Sequence, residues 1–479
     1  MHLVDLLAHL DVRSVRGRTA RTIARVTDRD DAVTDTDTCF VAVRGARVDG
    51  HDRIPAHAAC AVVEREVEVG PDTTLVRVED TRTALAALAA AIHGHPGASV
   101  PVVGITGTNG KTSTTFLLAS IARAAGLLPG VIGTTGHFIG DTKLPTGHTT
   151  PDAPTTQALL ARMRDAGAGL VAMEVSSIGL AARRVDSLPF RAAVFTNLTR
   201  DHLDYHGTME AYAVAKSRLF SKGLAEGGTA VLHGSDPACG QMAAAVPPGR
   251  TTWTYAVGGD ADLRADLIDL SWQGTRARIT TPRGEAALAL RVLGRHNVQN
   301  ALGALGAALA VGIDLDVACA GLSACSGIPG RLQAVPNDRG LAVLVDYAHT
   351  DDALARVLAE LRLLGPRRIL TVFGCGGDRD RGKRPLMGAA AAASDFIVVT
   401  SDNPRSEDPA RIVADILPGI GSAPHAVVLD RRDAIAHAIS LATPGDIVLL
   451  AGKGHEATQT IGARVFPFDD VQVASEVLA

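Results

Sequence analysis

Residues 100–116, Val-Pro-Val-Val-Gly-Ile-Thr-Gly-Thr-Asn-Gly-Lys-Thr-Ser-Thr-Thr-Phe, pass from an apolar run through a glycine-rich turn into a helix-forming segment. Strand, glycine loop and helix in that order wrap backbone N–H groups around nucleotide phosphates. Gly107 and Gly110 let the backbone approach the phosphates on either side of Thr108 and Asn109. Lys111 neutralises phosphate charge, and Thr112 and Ser113 open the helix, with the Thr112 hydroxyl placed to hold a magnesium ion. The spacing differs from the common G-x-x-x-x-G-K-[ST], because position 105 is Ile. A bland glycine turn has no need of Lys-Thr at a helix start, so nucleotide binding is expected here.

The chain around this loop has 479 residues, enough for about three domains. With 46% hydrophobic but only 3% aromatic residues, the cores must be built from Ala, Val, Leu and Ile. A net charge of −4 gives no general attraction for nucleic acid or membrane, so an anionic small molecule would need locally placed Arg and Lys. No apolar run reaches the ~18 residues of a membrane span, and the start lacks a basic leader. A cytoplasmic monomer acting on small molecules is expected. The six cysteines, at 39, 60, 239, 319, 325 and 375, are scattered without metal spacing and read as small buried hydrophobes.

Breakers at His95-Pro-Gly-Ala and Gly327-Ile-Pro-Gly330 divide the chain into expected domains at 1–98, 99–330 and 331–479. The first shows a helix (3–10), three strand runs (39–43, 59–64 and 74–78) and a helix at 81–95, a small α/β domain. The second alternates strands at 100–106, 130–133, 170–175, 192–196 and 229–232 with helical stretches, a P-loop-type ATPase domain on a parallel sheet. Short strands between 251 and 292 and a long helix at 298–311 complete it. The third alternates runs at 342–345, 369–373, 396–400, 426–429 and 447–450 with helices, a Rossmann-like doubly wound domain. In both sheets the polar, unusual sequences come just after strands, where open α/β sheets bind ligands. That placement suggests a reaction in a cleft between domains.

Glu174 ends an apolar strand in the same sheet as the phosphate loop, where a magnesium-binding acid is expected rather than a merely solvated strand end. His202, beside Asp201, follows another strand. Lys216 stands four residues after Tyr212, and three and four before Leu219 and Phe220, so it projects from the apolar face of a helix capped by Thr208. Its stem could snorkel to water. Alternatively, burial keeps the amine neutral and able to take up CO₂ as a carbamate, an oxygen ligand for a second magnesium ion.

Taken together, Met173-Glu-Val-Ser-Ser, Thr196-Asn-Leu-Thr-Arg-Asp-His-Leu-Asp-Tyr-His-Gly, Ala215-Lys-Ser-Arg-Leu-Phe, Gly294-Arg-His-Asn-Val-Gln-Asn and Gly330-Arg resemble the Mur ligase family. These are ATP-dependent enzymes of peptidoglycan precursor synthesis. The resemblance covers nearly all of residues 99–479. It implies that Glu174, His202 and carbamylated Lys216 hold Mg²⁺, with Lys111, Lys216 and His202 as the catalytic set. It also implies that Asn297, Asn300, Arg331 and Asp346 join the phosphate loop on the ATP side.

Within the family, Gly147-His-Thr-Thr-Pro-Asp, Asp346-Tyr-Ala-His-Thr, Gly376-Gly-Asp-Arg-Asp-Arg-Gly-Lys-Arg-Pro-Leu-Met, Asp402-Asn-Pro-Arg and Gly452-Lys-Gly-His-Glu resemble members that add meso-diaminopimelate as third stem-peptide residue. The implied acceptor is UDP-N-acetylmuramoyl-L-alanyl-D-glutamate, met by Thr149, Thr150, Ser176 and Arg184. The implied amino-acid site is Arg379, Asp402, Asn403, Pro404, Arg405, Gly452 and Glu456. Arg405 with Asn403 would clamp the distal carboxylate, and Glu456 would meet the ammonium. The cofactors implied are ATP, Mg²⁺ and CO₂.

Three positions depart from the pattern. Asp30-Asp31-Ala32 stands where the family has Asp-Ser-Arg, placing an acid where a diphosphate would approach. Ile178 replaces a His after Ser-Ser, and Asp351 replaces a Pro. A Mur-like ligase acting on another carboxylate, and an ATP-binding module without ligation, are the alternatives. The pairing of Lys216 with Glu174 speaks against the second.

Overall fold

A computed structural model describes residues 1–479 apart from 46–47, 146 and 272–273. The chain forms two compact units, one of Met1–Ala265, Ile279–Ala286 and Gln299–Leu322, the other of Asp266–Arg278, Ala287–Val298 and Ser323–Ala479. Among the described residues no helix is long and apolar enough to cross a membrane.

The first unit contains two sheets. The smaller one orders its strands Val12–Arg16, Thr74–Val78, Cys60–Val63, Thr38–Val41 and Arg25–Thr27. It is parallel except for the antiparallel edge strand Val12–Arg16. The three central strands are almost wholly buried, and the helix Thr81–Ile92 covers one face with Ala84, Leu85, Leu88 and Ala91. Asp80 caps that helix by accepting from the N–H groups of Arg82 and Thr83. Cys39 and Cys60 are cross-strand neighbours, both fully buried and unbridged, as expected of small core residues.

Six neighbouring strands of the larger sheet run Thr251–Val257, Leu224–His233, Phe190–Phe195, Val102–Thr106, Ala168–Glu174 and Leu128–Gly133, all parallel. A short antiparallel hairpin, Gly136–Ile139 with Thr142–Leu144, extends one edge. Its central strands are buried on both faces, which is why they read in the sequence as unbroken apolar runs instead of alternating ones. Register sets the site: Glu174 pairs with Ile105, and Phe195 with Thr106. The segments following residues 106, 174 and 195 therefore leave the sheet side by side at its carboxyl edge.

The second unit is a doubly wound domain. Its sheet orders Gln333–Ala334, Ala342–Asp346, Ile447–Ala451, Ile369–Phe373, Phe396–Val399 and His425–Val427, parallel except at the first strand. Along the central strand the side chains alternate. Ile369 and Phe373 pack with the helices Asp351–Leu363, Lys383–Ala391 and Pro409–Ile420. Leu370 and Val372 pack with Arg431–Leu441 and Asp470–Leu478. Asp351 occupies the first helical position behind the capping Thr350, where an acid suits the helix dipole as well as proline suits the geometry.

Candidate active site

The phosphate loop is pinned on both flanks. Gly107 has φ +151°, and a Cβ there would stand 1.8 Å from Thr196 Oγ1. Gly110 has φ +85°, caps the 14-residue helix Lys111–Ala124, and would place a Cβ 2.3 Å from Asn300 Oδ1. The segment after Phe195 holds the loop from outside. Thr108 N donates to Asn197 O, Asn109 N to Asn197 Oδ1 at 3.0 Å, and Thr199 N to Thr108 Oγ1 at 3.0 Å. Ser113 is buried at the helix start. Gly107→Ala forces both a disfavoured φ and a collision with Thr196. ATP-analogue affinity is expected to fall at least about tenfold, with a stability loss of roughly 1–3 kcal/mol, measurable by calorimetry and thermal melting.

Two lysines meet at this loop. Lys111 Nζ donates to Gly107 O and Thr108 O, each at 2.8 Å, and Lys216 Nζ donates to the same Gly107 O at 2.8 Å. Lys216 comes from the helix Met209–Arg218, capped by Thr208, and is 1% exposed. Its Nζ lies 4.3 Å from the centre of the Tyr212 ring, whose hydroxyl sits 3.2 Å from Thr108 Oγ1. Burial, and then the nearby charge of Lys111, hold the Lys216 amine well below its ordinary 10.5. A lowered pKa favours the unprotonated amine, the form that reacts with CO₂.

Glu174 is the acidic centre. It is buried and accepts from Thr112 Oγ1 at 2.9 Å, from Thr134 N at 3.0 Å and from Thr134 Oγ1 at 3.0 Å. The expected acceptor residues adjoin it. Thr149 Oγ1 lies 2.9 Å from Thr134 Oγ1, and Thr150 Oγ1 donates to Glu174 O. Ser176 N donates to Thr150 Oγ1, and Arg184 Nη1 to Thr150 O at 2.7 Å. Among the described residues no group of three or more His, Cys, Asp and Glu gathers. One carboxylate beside one threonine hydroxyl suits Mg²⁺, which prefers oxygen ligands and completes its shell with phosphate oxygens and water.

His202 stands outside these bonds. It is in the left-handed region at φ +50°, 46% exposed at its side chain, and 3.5 Å from Asp201 Oδ2. Its neighbour in sequence, His206, is the more integrated group: Nε2 lies 2.9 Å from Ser177 Oγ and the ring packs on Tyr212 at 5.1 Å. Burial, with Lys216 and His202 nearby, lowers its pKa. His206 lies inside the Thr196–Gly207 motif without a role assigned from it, and Thr134 is marked only by its position just after a strand.

In the second unit the residues expected to bind the amino acid lie near one another. Asn403 is engaged at both ends, donating from Nδ2 to Glu456 Oε2 at 2.9 Å and accepting from Thr460 N at Oδ1. Its amide is thus committed to Glu456 and Thr460. Arg405 holds φ +51°, donates from Nη1 to Gly377 O, and flanks Gly376 together with Arg379. Pro404 precedes it in the same turn. Asp402 is buried, which raises its pKa, and buried Lys453 lies 3.8 Å from it and 3.5 Å from Glu456. The fully buried pair Arg431–Asp470, with Arg431 Nη2 donating to Ala451 O, anchors the strand that delivers Gly452.

The residues expected on the ATP side are mostly internal here. Asp346, its pKa raised by burial, accepts from Leu332 N and Ala348 N, while Arg331 lies over the Tyr347 ring at 5.2 Å. Asn297 Nδ2 donates to Leu293 O.

The chain is similar to known proteins over most of its length. Residues 105–308 match the model of the Mur ligase middle domain, and 330–454 that of the Mur ligase glutamate ligase domain. The UDP-N-acetylmuramoyl-L-alanyl-D-glutamate–2,6-diaminopimelate ligase of Geobacter metallireducens is 44% identical over 459 residues, covering 90% of this chain and 89% of the relative. The enzyme of the same name from Clostridioides difficile is 39% identical over the whole of both chains. A solved structure of a ligase of that name superposes with TM-score 0.74 at 32% identity, covering 100% of this chain and 98% of the other. An ADP complex of the MurF ligase of Thermotoga maritima shares the fold at TM-score 0.60 and 20% identity, covering 95% and 96%.

Proposed function

Because the chain belongs to the Mur ligase family, we propose that it joins meso-diaminopimelate to UDP-N-acetylmuramoyl-L-alanyl-D-glutamate, using ATP, in peptidoglycan precursor synthesis. The observation that carries this reading is the meeting of Lys111 and Lys216 at one carbonyl, Gly107 O, beside the Glu174–Thr112 pair. A simple nucleotide-binding module needs the first lysine and has no use for a second, desolvated one.

The domains divide the work. Residues 1–98 take the nucleotide end of the acceptor, 99–330 take ATP and the reacting carboxylate, and 331–479 take the amino acid. Thr112, Glu174 and a carbamate on Lys216 would hold Mg²⁺, with His202 as a ligand or positioning group. Bound there, the metal would supply positive charge to the phosphoryl group in transfer. Backbone N–H groups of residues 107–113 cradle the phosphates, and Lys111 turns from the loop carbonyls to the transferring phosphoryl. Thr149, Thr150, Ser176 and Arg184 orient the acceptor carboxylate. Its oxygen attacks the γ-phosphorus, ADP leaves, and an acyl phosphate forms. The amino group of diaminopimelate then attacks the acyl carbon, loses a proton, and expels phosphate as the amide forms. Arg405 and Arg379 hold the distal carboxylate, and Glu456, oriented by Asn403, meets the distal ammonium.

Phosphate release is expected only when ATP, the UDP-linked dipeptide and diaminopimelate are all present. Release without the amino acid, or preference for lysine, overturns the reading. Arg405→Ala is expected to raise KM for diaminopimelate about 10- to 100-fold, from loss of a charge-assisted carboxylate contact, and leave KM for ATP within about twofold. Arg405→Lys retains charge without the planar fork and should recover only part of this loss.

A further inference from the structure

Within the first unit a cavity of about 670 Å³ is lined by five arginines and four aspartates, with Phe40, Val43 and Leu85 along an apolar wall. The aspartates include Asp30 and Asp31, the acids that make a diphosphate approach look adverse in the sequence. The structure changes their meaning. Asp31 holds the whole fork of Arg29, from Nε at 3.0 Å and Nη2 at 2.6 Å, and Asp30 faces Arg53 Nη1 at 3.5 Å. Each of these two acids is thus matched to a cation.

The commitments of these arginines differ. Arg184 donates to Thr150 O, and Arg183 bonds Asp80 and Thr83. Among the described residues Arg29 pairs only with Asp31, two residues away, and their side chains are 67% and 65% exposed. Exposed ion pairs of that kind are the weakest held. A fork already set for a carboxylate also matches phosphate oxygens, and a diphosphate carries more charge and more acceptors than one carboxylate. The cavity is too large for a lone phosphate, and its apolar wall suits a flat base and sugar, so the fitting ligand class is a nucleoside diphosphate.

We propose that Arg29 contacts the diphosphate of the nucleotide-linked acceptor, and that Asp31 is a counter-ion which the diphosphate displaces. The inference rests on the acceptor reading above and names a specificity residue for it. Its chief competitor is a clip in which Arg29 and Asp31 merely close the turn Asp30–Ala32.

The two roles differ in sign. In the full-length enzyme, Arg29→Ala is expected to raise the acceptor KM and the Kd for UDP at least about tenfold, with kcat and the KM for diaminopimelate within about twofold. Asp31→Asn is expected to lower the acceptor KM about two- to fivefold, because it frees Arg29 and removes a repelling charge. Parallel weakening by both variants, or an Arg29→Ala change under about twofold, overturns the proposal. So does a wild-type enzyme that binds no UDP. A wild type that binds UDP through Arg29 yet does not turn over the UDP-linked dipeptide sustains the Arg29 assignment and overturns the acceptor reading instead.

Discussion

Lys216→Ala is expected to lose turnover about 10²–10³-fold, to lose the carbamate carbon signal when the enzyme is equilibrated with ¹³C-bicarbonate, and to regain part of its activity with a short added carboxylate. The Lys216 amine is buried against Gly107 O and the Tyr212 ring, so it cannot exchange this role with a surface lysine. Full activity of the variant without any added carboxylate removes the carbamate from the mechanism. The same burial predicts a gain in stability. The folded state holds this amine below 10.5, so between its lowered pKa and 10.5 the unfolded chain binds one more proton and stability rises with pH. Lys216→Met abolishes that penalty. Its melting temperature should exceed the wild type's, most at low pH, and the gap should close as pH approaches 10.5. In enzyme freed of CO₂ and bicarbonate, an unchanged melting curve across pH would mean that the amine is ordinarily solvated.

Glu174→Gln carries the second large expectation, a turnover loss of about 10²–10³-fold with a raised Mg²⁺ requirement. Glutamine retains the shape and one accepting oxygen, so the contact with Thr134 N survives and stability should fall by no more than about 1–2 kcal/mol. Glu174→Ala, in contrast, strands three donors from Thr112 and Thr134 in a buried place and should cost about 3 kcal/mol or more. An unmoved Mg²⁺ requirement in Glu174→Gln would show that this carboxylate is a structural acceptor and not a ligand.

What could be read from the chain before its structure depended on how locally each feature is encoded. The strands Val102–Thr106 and Ala168–Glu174 are buried on both faces, so an apolar run alone revealed them. Val12–Arg16 has four of five residues exposed and exists because it pairs antiparallel with Thr74–Val78. No local pattern marks such an edge. The hairpin Thr458–Ile461 with Arg464–Pro467 is similar, since its contacts are with Asn403 and Arg405 far back in the sequence. The opening helix stops at Leu7 instead of Leu10, and the one after the first sheet at Ile92 instead of His95.

The site divides in the same way. Lys216 was legible because Tyr212, Leu219 and Phe220 lie on its own helical face. Thr134 holding Glu174 spans 40 residues, and His206 meeting Ser177 spans 29. Pairings of that kind are decided by sheet order, which apolar patterning does not encode. The acids at 30 and 31 were read as isolated charges, because their arginine partners became apparent only once side chains could be placed.

The tight seating of Gly107 against Thr196 has a bearing on how fast nucleotide is captured. A mould whose walls leave no room for even a methyl group is cast when the protein folds, so the entropy of shaping it is already spent before the nucleotide arrives. Capture should then be a single encounter step, linear in nucleotide concentration and without a slow rearrangement following it.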